Sequence, residues 1–206
     1  MHSRTQPPFA HLNLKFNPFG ELTRKERATT AIVELDQLPA LHSKNRVAIQ
    51  FMGKHGRGKS THLIALHKQF KDSPYTQIHI GDKPTFNKNP IQFIDSIEIL
   101  PASRRKKLYR TTNILALTTH HDLSKELSGA GFEVISKTIF VDNEQALKKI
   151  IDSRIEFARR DLGLLPDVGT QAIRQLITRF NDDIRAMEDH LYDVFQHLQE
   201  IGDVKV

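Results

Sequence analysis

Apolar residues along this chain keep two periods, and each change of period marks a change of element. Ala28, Ala31, Ile32, Leu35 and Leu38 recur at three- and four-residue steps until Pro39 closes the run, which predicts a helix. Val47, Ala48, Ile49, Phe51 and Met52 then crowd into an apolar run at 46–52, the pattern of a strand. Helical spacing returns over 59–71 through Leu63, Ile64, Leu66 and Phe70, and residues 76–80 alternate as a short strand. Gly81, Asp82, Pro84, Asn87, Asn89 and Pro90 mark 81–90 as a loop. Ile91, Phe93 and Ile94 make the next apolar strand, which ends in Asp95. A helix is expected through the basic residues at 104–110, a strand at 113–118 and another at 132–140.

The pattern then becomes helical throughout. A long amphipathic helix over 143–161 carries Ala146, Leu147, Ile150, Ile151, Ile155 and Ala158; Pro166 and Gly169 interrupt it before two further helices at 169–180 and 182–200. At the other end, residues 1–15 with Pro7 and Pro8 show no period and read as an extended lead-in, followed by a turn at Asn17-Pro18-Phe19-Gly20. Strands alternating with helices predict an α/β fold with a parallel sheet and a purely helical tail. The expected divisions are the lead-in at 1–15, the α/β core at 16–161 and a helical subdomain at 162–206. Such sheets bind ligands at the carboxyl ends of their strands. Residues 53–61, Asp95 and residues 118–120 all fall at such ends.

The first of these stations carries the strongest chemistry. Gly53-Lys54-His55-Gly56-Arg57-Gly58-Lys59, followed by Ser60 and Thr61, fits the phosphate-binding pattern G-x-x-x-x-G-K-[ST] at every fixed position. A strand before it and a helix after it aim backbone N–H groups and a helix N-terminus at one point, an anion site suited to a polyphosphate. The glycines let the backbone curl where a Cβ would collide. Lys59 is placed to reach the β- and γ-phosphates, and the Ser60 hydroxyl to join the shell of a Mg²⁺ ion.

At the second station, Asp95 ends its strand where an acid can hold the same Mg²⁺ opposite Ser60. A glutamate directly after such an aspartate polarises the attacking water in many nucleotide hydrolases; here that place holds Ser96, with Glu98 two positions further on. On a continuing strand Glu98 faces away from Asp95, whereas a turn or helix swings it back. Two readings therefore stand: Glu98 serves as the base, or hydrolysis is slow and nucleotide acts as a switch. At the third station Thr118, Thr119 and His120 offer hydroxyls and an imidazole to a γ-phosphate or a water.

Composition narrows the class. The 206 residues, 38% hydrophobic and 26% charged, suit an ordinary globular chain of one domain or one with an appendage. Cysteine is absent, which removes disulfides, thiolate zinc sites and cysteine nucleophiles. No apolar stretch approaches a membrane span and no signal-peptide core opens the chain, so a cytoplasmic protein without membrane contact is expected. Formal charge is +6, with the densest cluster at Arg104, Arg105, Lys106, Lys107 and Arg110. That cluster is either a solvated helix face or a contact for nucleic acid phosphates.

With these stations in order, residues 16–198 resemble the P-loop ATPases with an additional catalytic strand, and within them the bacterial AAA+ ATPases. In those terms residues 53–61 are similar to the Walker A motif, Phe93-Ile94-Asp95 to Walker B and Thr118-Thr119-His120 to sensor 1. The helical tail resembles the AAA+ lid, with Arg185 in Asn181-Asp182-Asp183-Ile184-Arg185-Ala186 at the place of the sensor 2 arginine, which contacts the γ-phosphate. Phe16-Asn17-Pro18-Phe19 is similar to a segment that lies near the adenine, so Phe19 joins the nucleotide-binding residues. The resemblance implies a parallel-sheet P-loop NTPase core with a C-terminal helical lid. It also implies ATP and Mg²⁺ as ligands, ATP hydrolysis as the activity, and coupling to DNA, to a protein or to further copies of the chain.

This chain departs from that pattern in three ways. The Walker B glutamate is missing, and the Walker motifs lie close together, so a helix and a strand of the core are expected to be shortened or lost. Residues 124–137 hold no arginine for a neighbouring subunit's site, only Lys125 and Lys137, which leaves Arg104 or Arg105 as the remaining candidates. Residues 113–123 are also similar to the switch-histidine segment of ABC-type ATPases, without the LSGGQ-like signature upstream. An N-K-x-D guanine motif is missing, and the 11 histidines show no zinc-ligand spacing.

Overall fold

The computed structural model describes residues 8–33, 35, 46–70, 72–141 and 143–206. Its strands are β1 (Val47–Met52), β2 (Tyr75–Gln77), β3 (Ile91–Asp95), β4 (Ile114–Thr119) and β5 (Glu133–Thr138). They form one parallel sheet in the order β2-β3-β4-β1-β5. The helices are α1 (Arg24–Thr30), α2 (Lys59–His67), α3 (Ala102–Tyr109), α4 (Ser124–Gly129), α5 (Glu144–Phe157), α6 (Thr170–Phe180) and α7 (Ile184–His197). This is an α/β architecture, a five-stranded parallel sheet flanked by helices. Among the described residues no helix is long and apolar enough to cross a membrane.

Contacts divide the described chain into two compact units, one within Val33–Phe140 and the other combining the residues up to Ile32 with Val141–Val206. The first holds the sheet. Alternate residues of β1 face opposite ways, because side chains on a strand point alternately to its two faces. Val47, Ile49 and Phe51 join Leu63 and Leu66 of α2 in one apolar cluster. Ala48 joins Leu108 and Tyr109 of α3 and Leu127 of α4 in another. Both faces of β1 are covered, which is why its sequence is apolar almost without interruption. The helix α4 gave no separate signal in the apolar pattern.

In the second unit, Leu147, Ile151 and Ile155 of α5 pack with Ile173 and Leu176 of α6 and with Met187, Leu191 and Phe195 of α7. The expected α/β core ended at 161, but the structure groups α5 with the tail helices. Residues 1–7 of the expected lead-in lie outside the described residues. Those that follow are not extended: Ala10–Leu12 form a 3₁₀ turn, and Leu12 and Leu14 are fully buried against the tail helices. Lys15 N donates to Ala158 O at 2.8 Å, and the Arg154 guanidinium donates to the carbonyls of Pro18 and Gly20, each at 2.8 Å. Burial holds the Arg154 pKa below its ordinary value, against the opposing pull of Glu188.

Two further expectations shift. The first helix stops at Thr30, with Ala31 already extended, and Leu38 and Pro39 lie outside the described residues. The strand expected at 76–80 is the three-residue β2, one position earlier. No strand of the core is lost despite the short spacing between the motifs; what is missing, among the described residues, is a helix between β2 and β3.

Candidate functional site

The loop at 53–58 owes its shape to glycine. Gly53 has φ +151°, and a Cβ there would stand 2.8 Å from the carbonyl oxygen of Ile139. Gly58 caps α2 in the left-handed region at φ 87°. Lys54 and His55 are exposed at the top of the loop, Arg57 is buried, and Gly56, Ser60 and Thr61 are half-buried. Lys59, the first residue of α2, is buried and donates from Nζ to the Lys54 carbonyl at 2.7 Å, so its ammonium lies under the loop it belongs to.

Next to this loop β3 delivers Asp95. Three hydroxyls converge on its carboxylate: Ser60 Oγ donates to Oδ1 at 3.0 Å, Thr118 Oγ1 to Oδ1 at 2.5 Å and Tyr75 Oη to Oδ2 at 3.0 Å. Asp95 is 2% exposed, and a carboxylate at that depth requires such donors. Ser60 and Asp95 were expected to share a Mg²⁺ ion, and their oxygens meet directly. Hard, neighbouring oxygen donors beside a phosphate loop fit that ion.

The chain does not continue as a strand beyond Asp95. Ser96 adopts φ 63°, ψ 50°, a left-handed conformation that costs a serine about 1–2 kcal/mol. Its N–H donates to Thr118 Oγ1 at 2.7 Å, which ties the bend to β4. A 3₁₀ turn at Ile97–Ile99 follows and carries Glu98 back toward the end of β4. There Glu98 Oε1 lies 3.3 Å from His120 Nε2, while Glu98 Oε2 is buried with no hydrogen-bond partner among the described residues. Of the two placements open to Glu98, the folded chain adopts the turned-back one.

His120 stacks on His55, ring centroids 6.1 Å apart and planes 14° from parallel. Its pKa is lowered, chiefly by burial and then by the Lys59 charge, with Glu98 pulling the other way. His120, Glu98, His55 and Lys59 thus crowd one end of the sheet. Thr119 does not join them. It is fully buried, and its hydroxyl closes a turn, accepting from His121 N at 3.1 Å and donating to His121 O at 2.9 Å.

The other expected contributors have surroundings of their own. Phe19 is not a free adenine platform: its ring is 5% exposed in the helical core, edge-on to Phe195 with centroids 5.1 Å apart. Arg185 is exposed in the first turn of α7, where Asp183 caps the helix by accepting from Ala186 N at 3.2 Å. Arg105 leaves the basic cluster, because it grips Glu126 of α4 at 2.8 and 2.6 Å and also donates to Leu100 O. Glu126 is held below its usual carboxylate range, first by Arg105 and, against its burial, by Tyr109.

Two residues that the sequence did not single out shape the site. Tyr75 reaches Asp95 from the neighbouring strand, and a tyrosine in a strand carries no local sign of that task. Gln50 is fully buried in β1, with Nε2 within 2.8 Å of Asp122 Oδ1, Ser124 Oγ and Ser136 Oγ and Oε1 accepting from Leu123 N. It anchors the loop that leaves His120. A glutamine inside an apolar strand run was the available signal.

No family model and no curated protein matches this chain. Solved structures do. Two single-substitution variants of RuvB from Thermotoga maritima are similar to it, both at 15% identity, with TM-scores of 0.51 and 0.53 over 72% and 75% of this chain. The matches span 53% and 58% of the RuvB chains, little more than half of their length. At this identity the likeness is one of fold, and it agrees with the five-stranded parallel sheet flanked by helices.

Proposed function

We propose that this chain is an AAA+-like ATPase that binds Mg·ATP at residues 53–61 and hydrolyses its β–γ phosphoanhydride bond. The observation that carries the reading is the meeting of Ser60 and Asp95 at 3.0 Å, with β4 lying between the strands that deliver them. That strand order supports the additional-strand class, and the fold shared with RuvB supports the AAA+ comparison. Mg²⁺ would be held by Ser60 and Asp95 and would neutralise charge on the phosphate oxygens.

The chain's own residues divide the remaining work. Lys59 serves the β- and γ-phosphates, with Gly53, Lys54, His55, Gly56, Arg57, Gly58 and Thr61 shaping the cradle around them. Glu98 accepts the proton of the attacking water, and its bare, buried Oε2 supports that role, since a polar atom left without a partner is a ready acceptor. His120 orients Glu98 and faces the γ-phosphate. Arg185 is the candidate lid arginine. Coupling to nucleic acid, to a protein or to other copies of the chain completes the reading, in a cytoplasmic protein.

A second reading has its own observation. Ser96 occupies the place next to Asp95 where hydrolases keep their glutamate, so a slow or non-hydrolysing nucleotide switch is the alternative. Calorimetric titration with Mg·ATP and a phosphate-release assay on the same preparation separate the two. Hydrolysis predicts tight binding and turnover, both abolished by Lys59→Ala. Binding without turnover supports the switch, and unchanged affinity in Lys59→Ala refutes the phosphate-loop assignment.

A further inference from the structure

The basic cluster that sequence placed on a helix is, in the fold, one wall of a groove. The loop between β2 and β3 lies along α3, and between them is a pocket of about 320 Å³ lined by Pro84, Thr85, Phe86, Arg104, Lys107 and Thr111. Such a volume lies at the lower end of the range for small-ligand sites, enough for one flat ring system and its substituent. Phe86 packs part of its ring on the apolar cluster beneath α3 and leaves the rest to the pocket. Arg104 Nη1 donates to the Pro84 carbonyl at 3.4 Å, so the loop and α3 are joined across the pocket.

Charge around the pocket is one-sided. Lys83 and Lys88 on the loop and Lys106, Lys107 and Arg110 on and beside α3 are all exposed. Within 81–90 and 102–110 the sequence holds one carboxylate, Asp82, and its Oδ2 is engaged by the His79 amide at 2.7 Å. Arg105, the remaining cation of the cluster, is committed to Glu126 and to the Leu100 carbonyl. An aromatic ring, two hydroxyl-bearing threonines and two cations in a pocket, flanked by further cations, fit a polyanion with flat apolar faces.

We infer that this groove binds single-stranded nucleic acid, with one unstacked base on Phe86 and the flanking phosphates on Lys83, Lys88, Arg104 and Lys107. Duplex phosphates would satisfy the cations alike, but a base paired in a duplex does not present its face to a ring. The pocket therefore selects the single strand. The inference names the partner for the ATPase reading and rests on it only for the meaning of coupling, because the groove is built without any residue of the phosphate loop.

The test is fluorescence anisotropy of the full chain with a labelled oligothymidylate and with a duplex of equal length, without nucleotide, over a series of salt concentrations. The single strand is expected to bind more tightly than the duplex. Phe86→Leu is expected to weaken it about ten-fold at every salt concentration, the scale of one lost base stack. Lys107→Glu is expected to weaken binding and to flatten the slope of log K against log salt by about 0.7 or more, the loss of one phosphate contact. Both variants should bind Mg·ATP as the parent does, which shows them folded, and Lys59→Ala should keep oligonucleotide binding. Equal or tighter binding of the duplex, absence of binding at low salt, or indifference to both substitutions overturns the inference and leaves the ATPase reading to its own assay.

Discussion

The end of β3 and the 3₁₀ turn behind it treat two carboxylates in opposite ways. Asp95 is buried and accepts from three hydroxyls, one each from α2, β2 and β4. Glu98, three residues on, is held at one oxygen by an imidazole and carries the other bare in the interior. A buried carboxylate with both oxygens engaged by hydroxyls is fixed in place, which suits a metal ligand whose geometry must not drift. A buried carboxylate with an oxygen to spare is poised to accept a proton. The strained backbone of Ser96 separates the two and allows both at one strand end.

The largest effects should come from exchanging each acid for its amide. Asp95→Asn is expected to abolish turnover and also to lower unfolding free energy by about 1–3 kcal/mol, because three donors lose a charged acceptor. Glu98→Gln is expected to cut turnover by roughly a hundred-fold or more while leaving Mg·ATP affinity and stability near those of the parent. Denaturant unfolding beside phosphate release reads both. If the two variants lose stability equally, the contrast between a fixed and a spare carboxylate is wrong.

A smaller effect tests the imidazole. Burial, and after it the Lys59 charge, hold the His120 pKa below the ordinary 6.5; His55 and His121 add to that shift, and Glu98 opposes it. His120 is therefore neutral at pH 7 and becomes cationic only below pH 6.5, where it would bind Glu98 as an ion pair and withdraw the base. Turnover should fall on that acid side. His120→Gln should lower turnover about ten-fold at pH 7.5, roughly one hydrogen bond, and shallow the acid limb. A pH profile identical to the parent's would remove His120 from control of Glu98.

The smallest effect belongs to Tyr75→Phe, which takes one of three donors from Asp95. Stability should fall by about 1 kcal/mol, and the Mg²⁺ concentration for half-maximal turnover should rise a few-fold. An unchanged Mg²⁺ requirement would mean that Ser60 and Thr118 suffice to hold the carboxylate.

Much of this arrangement was legible along the chain. The phosphate loop is local chemistry: glycines and a lysine at set spacing shape a backbone cradle whatever surrounds them. Asp95 was legible because the apolar run before it ends abruptly. The partners of Asp95 were not legible, since Thr118 and Tyr75 reach it only through strand pairing at separations of 23 and 20 residues. The same limit hid the burial of Phe19, the commitment of Arg105 to Glu126 and the groove on α3, because each depends on a neighbour distant in sequence.

The amino-acid sequence alone determined the alternation of strands and helices, the polyphosphate cradle and the excess of positive charge, since periodicity, glycine spacing and charge are properties of neighbouring residues. Only the tertiary structure decided that β4 separates β1 from β3, that α5 belongs with the tail helices, and that Ser96 bends the chain so that Glu98 returns to His120. Those outcomes turn on which surfaces bury one another and which buried polar atoms find partners, and both are balances struck across the whole fold.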